Sequence, residues 1–421
     1  MASQSAIPGI PPESSPASSA SSEQDSIGFI LRLGRALHSY GYAAHRLEQV
    51  LDQAAEQLGL VGQFFSTPTS IFASFGIQEN QRTFLIRVEP GDVDLGRLAL
   101  LDAVTIKVLH RHLSPAAGSR EVEAVLESPP LYGRVLTTLA FGLASAAASR
   151  FLGGGLKEVL VASVLGFAIG LLALVVGHSP SFGRVFEPVA AFAASLVAAS
   201  AGHWIGAYSV YNATLAGLIV LIPGFTLTVA MTELSSRHLV SGTARLTGAF
   251  ILFLTIAFGV ALGSRISTGL FGSPLIGEAV QLPAWSEIAA LIMAPLAFTV
   301  ILRAQPRDAP WIVLSGIFGV LGGRVGAHAL GNELGVFVGA LAVGSASNIY
   351  GRLLNRPATI TLVPGILLLV PGSIGFRSLA SLLDREVVLG VETAFKMILI
   401  AVALVAGMLV ANIVAPPRRT L

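Results

Sequence analysis

The chain has 421 residues, of which 53% are hydrophobic and only 12% charged, with a formal net charge of +2. A soluble globular protein carries roughly 25% charged residues, so that class is excluded; the basic residues are scattered along the chain, which argues against a nucleic-acid partner. There is no cysteine, so neither a disulfide framework nor a thiolate metal site is available, and no metal or cofactor is expected.

Residues 1–25 are rich in Ser, Pro and Ala, lack an apolar core, and are expected to form a disordered tail. They show neither the basic start nor the apolar stretch of a secretory signal, so a cytoplasmic N-terminus is expected. Residues 26–128 are long enough for a core of their own. A helix is predicted from about Ile27 to Ser39, and a second, past Gly41, from Arg46 to Leu58. The second places Leu47, Val50, Leu51, Ala54 and Leu58 on one face, with His45, Gln49, Asp52, Gln53 and Glu56 turned to water. Alternation then predicts strands at Ser70–Ile77 and Arg82–Glu89, joined by the polar loop 78–81. Asp92 or Asp94 caps a helix to about Leu113, Gly118-Ser119 opens a shorter one through Leu126, and Pro129-Pro130 ends it. The expectation is a small cytoplasmic α/β domain standing directly before the membrane.

From Leu131 the apolar runs follow one another at about 132–151, 156–177, 185–202, 212–233, 242–264, 284–303, 310–328, 333–349, 358–376 and 388–414. Runs of this length read as membrane helices, and none has the alternation of a β-barrel strand. The fold class is therefore a polytopic α-helical membrane protein with about ten transmembrane helices. The longest interruption, Arg265 to Pro283, divides them into two sets of five, 131–265 and 284–415. Because five is odd, two copies of one unit enter the membrane in opposite senses, which predicts a 5+5 inverted repeat. Orientation follows from basic residues in short loops. With the N-terminal domain inside, Arg184, Arg237, Arg245, Arg303, Arg307, Arg352, Arg356, Arg418 and Arg419 are cytoplasmic. Arg150, Lys157, Arg265, Arg324, Arg377 and Arg385 then lie outside.

The stretch that organises the membrane region is Pro223-Gly224, followed by Phe225-Thr226-Leu227-Thr228. Its twin, Pro364-Gly365, lies 364 − 223 = 141 residues on, and a second Pro-Gly follows at Pro371-Gly372. Proline removes an N–H and crowds the carbonyl four residues back, here those of Ile219 and Ile360. Interrupted spans at corresponding positions of two halves point to a transporter's binding site, whereas a single Pro-Gly is more often a packing kink. The helix restarting at Gly224 offers free amides to a carboxylate. Thr226, Thr228 and Thr232 add hydroxyls, although threonines in helices commonly bond back to their own carbonyls. Glu233, at the end of that span, either reaches the interface, meets a substrate ammonium together with the freed carbonyls of Ile219 and Ile360, or joins proton coupling. Glu392 and Lys396 form an i, i+4 pair, for which an ion pair on the helix surface is the plainer reading and proton coupling the alternative. Asn212 and Asn348 serve either interhelical hydrogen bonds or substrate contacts. In the N-terminal domain, Arg46 and Glu48 share a helix, and Thr67-Pro68-Thr69-Ser70 is expected to lie beside them.

Several short stretches, taken in order, resemble the threonine/serine exporter family. They are Gly41-Tyr42-Ala43-Ala44-His45-Arg46-Leu47-Glu48, Thr67-Pro68-Thr69, Pro223-Gly224 with Gly242-Thr243-Ala244-Arg245 downstream, and Arg356-Pro357 before Val363-Pro364-Gly365. The resemblance runs from about residue 26 onward. It implies a proton-driven exporter (an antiporter) of small hydroxy amino acids in the cytoplasmic, or inner, membrane. Its partners would be the amino acid, protons and the lipid bilayer, and a homo-oligomer is allowed. Some relatives split the chain into two proteins and move small dicarboxylates, and the family's N-terminal domain has been suggested to be hydrolase-like. No nucleophile–base constellation supports the hydrolase here, so Arg46, Glu48, Thr67 and Thr69 are read as a gating module. The alternatives are a dicarboxylate exporter, a membrane-anchored hydrolase, and a channel or receptor. No nucleotide-binding motif supports an ATP-driven pump.

Overall fold

The computed structural model describes residues 16–89, 91–176, 183, 185–273, 277–383 and 385–417. Residues 1–15 of the expected tail, and Arg184, Arg418 and Arg419 of the arginine comparison, lie outside them. The N-terminal unit is built from α1 (Pro16–Ser39), α2 (Ala44–Gln57), β1 (Gly62–Thr67), β2 (Ser70–Phe75), β3 (Arg82–Arg87), α3 (Leu95–Leu109) and α4 (Pro115–Glu127). Helix α1 thus begins ten residues before the boundary that composition marks at residue 26. The strands form one antiparallel sheet in the order β1-β2-β3, with Ile71 opposite Ile86 and the hairpin Thr67-Pro68-Thr69-Ser70 joining β1 to β2. Strand β1 escapes a period-2 reading because Phe64 and Phe65, adjacent in sequence, face opposite sides, and Phe65 stays exposed. Asp94 caps α3 by accepting the Arg97 N–H at 2.9 Å. Helix α4 opens at Pro115, ahead of Gly118, because Ser114 accepts the Ala117 N–H and proline at the first helical position presets φ.

Leu33 and Leu37 of α1, Leu47 and Leu51 of α2, Ile71 of β2 and Leu101 of α3 are fully buried in one core. That core does not stop at the unit's edge. It continues through Ala304, Ile312, Tyr350 and Ile360, which belong to the helical region beyond. Backbone bonds join the two parts as well: the first amides of α3, Leu95 and Gly96, donate to the carbonyls of Leu302 and Arg303 at 2.9 and 3.1 Å. A helix start and a helix end thereby meet each other's unfilled groups.

The remaining helices are α5 (Arg134–Phe151), α6 (Leu156–Val176), α7 (Phe186–Ile205), α8 (Val210–Gly217), α9 (Gly224–Ser235), α10 (Leu239–Phe271), α11 (Trp285–Ile301), α12 (Ala309–Leu330), α13 (Asn332–Leu354), α14 (Thr359–Leu367), α15 (Gly372–Leu383) and α16 (Val387–Val414). Among the described residues, seven helical stretches are long and apolar enough to cross a membrane, and Trp285–Ile301 is a shorter apolar helix. The chain is a polytopic helical membrane protein. The packing has a recurring plan: α7 lies along α10 and α13 along α16, α6 packs on α8 and α12 on α14, and α9 packs on α10 and α15 on α16. Between the two sets, α5 meets α11, α9 meets α16 and α15, and α10 meets α15.

Both interrupted helices are present, but the second breaks at an unexpected place. The first gap, 218–223, ends at Pro223-Gly224. The second, 368–371, ends at Pro371-Gly372, while Pro364-Gly365 sits inside the continuous helix α14. The structural counterpart of Pro223-Gly224 is therefore Pro371-Gly372. Proline is well accommodated in the first turn of a helix, and Pro364 falls late in a helix only nine residues long, where few bonds remain to be lost. The two restarts touch: a Cβ added to Gly224 would lie 3.1 Å from Gly372 Cα and 2.4 Å from Val370 Cγ1. Only glycine permits that approach.

Candidate functional site

A cavity of about 410 Å³ lies between the N-terminal unit and α9, α13, α14 and α16. Its roof is α2, which contributes His45, Arg46, Gln49 and Gln53. The α2 polar face, expected to meet bulk water, thus partly covers a cavity instead. His45 is held there as the neutral ring: burial pushes its pKa down to about 4, and the neighbouring Arg46 charge and then His238 act in the same direction. Burial also lowers His38, whose Nε2 lies 2.7 Å from the Thr67 carbonyl, and raises the Tyr42 phenol to about 12. The walls carry Thr228 and Thr232 of α9, Asn348 of α13, Thr359 of α14 and Asn412 of α16. Asn348 Nδ2 donates to Asn412 Oδ1 at 2.9 Å and to the Ala415 carbonyl at 2.8 Å.

Beside this cavity the N-terminal unit is fastened to the end of α9. Glu233 is fully buried, and its carboxylate accepts three hydrogen bonds. They come from the Ala44 N–H that opens α2 (2.9 Å), Arg245 Nε (3.1 Å) and the Ser241 hydroxyl (2.8 Å). Glu48 works from the other side. Its Oε1 accepts the Ser66 N–H at 2.7 Å and its Oε2 lies 3.0 Å from His238 Nε2. His238 in turn has its ring 6.0 Å from that of His45.

A second cavity, about 320 Å³, is lined by Val320, Gly323, Arg324 and Ala327 of α12, Asn332 and Val336 of α13, and Leu368 and Leu369 just past α14. Along α13, Val336 and Asn348 are twelve residues apart, about 18 Å at 1.5 Å per residue. Between the cavities stands one apolar cluster, Ala340, Val343, Ile366 and Leu404, with Val336, Leu362, Leu369 and Met408 packed on it. Leu362 and Ile366 face the first cavity and Leu369 the second. Helices α13, α14 and α16 thus share the partition, and α14 lies close on α12: a Cβ on Gly365 would come within 2.3 Å of Ser315 Oγ.

Of the residues picked out in the sequence, Thr228, Thr232, Asn348 and Arg46 line the first cavity together. Thr228 Oγ1 donates to Gly224 O at 3.1 Å and Thr232 Oγ1 to Thr228 O at 2.9 Å, so both hydroxyls bond back while their edges face the space. Pro223, Gly224, Thr226, Pro364, Gly365, Pro371 and Gly372 line neither cavity. The first amide of α9, Gly224 N–H, donates to the Ile222 carbonyl at 2.7 Å. Asn212 accepts the Ser149 hydroxyl at 2.8 Å and donates to the Leu152 carbonyl at 2.9 Å, which makes it a tie between α8 and α5. Glu392 and Lys396 pair at 2.8 Å on an exposed face of α16. Thr67 and Thr69 sit in the β1–β2 hairpin, where the Thr67 and Ser70 hydroxyls lie 2.8 Å apart. Sequence reasoning missed Thr359 and Asn412. Asn412 carried a signal, an amide inside the last apolar run.

Two family models match the chain. Residues 28–267 match the one described as "Putative threonine/serine exporter", and residues 287–414 match "Threonine/Serine exporter, ThrE". The chain belongs to the threonine/serine exporter family. Its similar relatives include the pheromone-regulated membrane protein 10 of several fungi. That of Eremothecium gossypii is 28% identical over 360 residues, 83% of this chain and 48% of the relative. That of Candida albicans is 28% identical over 369 residues, 83% and 33% respectively. That of Saccharomyces cerevisiae is 26% identical over 359 residues, 83% and 46%. The chain thus spans about half or less of the length of these relatives. No solved structure matches it.

Proposed function

We propose that this family member is a secondary exporter of threonine and serine, driven by the proton gradient across the cytoplasmic membrane. The observation that carries the reading is the pair of cavities on the two sides of one apolar cluster to which α13, α14 and α16 contribute. A carrier needs a site reachable from each face in turn and a barrier between them, and broken helices beside such a site are the usual construction. In this reading the chain crosses ten times, α5–α10 and α11–α16 being inverted copies and the N-terminal unit cytoplasmic. Support comes from the recurring helix packing. Further support is that the segment after α11 meets that unit through the Leu302 and Arg303 carbonyls and meets the start of α5 through Tyr132, which donates to the Ala304 carbonyl at 2.7 Å.

The first cavity is the inward one, and its hydroxyls and amides suit a solute with a hydroxyl, since an analogue lacking that group strands the site's own polar atoms. Its volume lies within the roughly 300–1,000 Å³ of small-molecule sites. Glu233 is the coupling candidate: a proton there would cancel its charge toward Arg245 and turn one acceptor oxygen into a donor, loosening α2 from α9. Glu392 and Lys396, exposed and lining neither cavity, are left as a surface pair. Among the described residues no carboxylate lines the inward cavity, and this favours one second reading, a small dicarboxylate as cargo. Proteoliposomes loaded with L-threonine, L-serine, L-valine or succinate decide between them. An imposed inward proton gradient is expected to accelerate threonine and serine efflux at least tenfold over valine. Succinate efflux without threonine efflux would replace the first reading by the second.

A further inference from the structure

We propose that the N-terminal unit supplies the carboxylate partner of the transported solute: Arg46, with the Thr359 hydroxyl and the His45 ring, forms a carboxylate-binding subsite in the inward cavity. The inference deepens the transport reading and rests on it. It moves the carboxylate away from the start of α9, where Gly224 and Thr226 line neither cavity, and makes α2 part of the site instead of a remote gate.

The junction between the unit and the helical region holds several arginines, and three that lie half-buried there are neutralised. Arg245 pairs with Glu233, Arg303 with Asp94, and Arg356 with Asp308. The guanidinium of Arg46, half-buried in the cavity wall, has neither an ion pair nor a hydrogen bond to any described residue. An uncompensated cation in a partly desolvated wall is costly, and a planar guanidinium matches a carboxylate in two parallel hydrogen bonds. Two further polar atoms facing inaccessible space lack partners, Thr359 Oγ1 and His45 Nδ1, and both residues line the same cavity. Buried polar atoms are normally satisfied, so orphans around one cavity mark where a ligand's atoms go. One unpaired cation and two residues that each carry an unsatisfied buried polar atom thus line one cavity, whose described lining includes no carboxylate. The chemistry that completes them is a carboxylate. Burial holds His45 neutral, so the subsite carries one positive charge and suits one carboxylate.

Calorimetric titration of the purified full chain in lipid nanodiscs tests this, with L-threonine, L-threoninamide and succinate as ligands. The parental protein is expected to bind threonine at least tenfold more tightly than threoninamide, which keeps the hydroxyl and amine but lacks the anion. Arg46→Gln should reduce threonine to the level of the amide, Arg46→Lys should restore part of the gap, and Thr359→Val should narrow it about threefold. Because the Arg46 side chain bonds to nothing described and is costly where it lies, its variants should melt no lower than the parental protein. A tenfold gap that survives in Arg46→Gln overturns the subsite and leaves the exporter standing. Equal binding of threonine and threoninamide by the parental protein overturns it too, as does binding of none of the three. Arg46-dependent binding of succinate without threonine keeps the subsite and removes the hydroxy amino acid from the function.

Discussion

The break before α9 and the break before α15 touch at Gly224 and Gly372, yet the half-helices around them have different surroundings. Helix α9 ends in Glu233, whose carboxylate is bonded to Ala44, Arg245 and Ser241 and ties the helix to the N-terminal unit. Helix α14 lies along the first cavity through Thr359, Leu362, Val363 and Ile366, has the second just past its end, and is held by apolar contacts and by the Ser315 hydroxyl, which donates to the Thr361 carbonyl at 2.9 Å. Similar interruptions have thus been put to different uses. The polar, multiply bonded end is an anchor; the apolar end, where displacement breaks few hydrogen bonds, is the part suited to move. Apolar contacts are non-directional and re-form after a slide, whereas a desolvated ion pair does not tolerate half-measures.

The comparison breaks most visibly at the crossing, which both breaks share. Gly224→Leu and Gly372→Leu should each reduce threonine efflux at least a hundredfold, because the new side chain would displace the opposing helix restart. Overpacking of this kind also costs about 1–3 kcal/mol of stability. Gly248→Leu on α10, whose Cβ would meet nothing within 4 Å, is the control and should transport normally. The anchor comes next. Glu233→Gln leaves Arg245 buried without its counter-charge and should destabilise the protein by about 3–5 kcal/mol. Detergent melting curves measure it, and a loss under 1 kcal/mol would mean that α9 is not fastened as described.

The roof over the inward cavity sharpens the contrast through pH. The folded pKa of His45, about 4, lies below its ordinary 6.5, so the unfolded chain binds the proton more readily. Stability is then full above about pH 6.5, declines as the pH falls toward 4, and levels off below. The loss from His45 is on the order of 3 kcal/mol, with His38 adding in the same direction. His45→Asn should flatten part of the decline; an unchanged profile would place the ring in water. The smallest effect is expected at Glu392→Gln and Lys396→Gln, where an exposed i, i+4 pair is worth little and transport should stay at the parental rate.

The helical membrane class, the positions of the apolar helices and the two breaks were legible in the sequence, because length, hydropathy and the Pro-Gly signature are local properties. So were Thr228, Thr232, Asn348 and Arg46, polar groups standing out against apolar or periodic surroundings. What failed is what depends on packing between distant segments. Pro364-Gly365 and Pro371-Gly372 offer the same chemistry seven residues apart, and only contact with Gly224 selects the second. Asn212 and Asn348 look alike along the chain, but one faces Ser149 and the other a cavity. His45 lies on the polar face of α2, which is solvent-facing only until the helical region closes over it.

The central claim is that the apolar cluster shared by α13, α14 and α16 separates an inward from an outward cavity on one solute path. The chain has no cysteine, so single thiols can be placed without background, Met408→Cys facing the first cavity and Ala327→Cys facing the second. In sealed vesicles a membrane-impermeant thiol reagent should reach the Met408→Cys protein only from the face carrying the N-terminal unit, and the Ala327→Cys protein only from the opposite face. L-threonine should change the two labelling rates in opposite directions as α14 shifts. Labelling of both proteins from the same face, or two rates indifferent to threonine, would contradict the account.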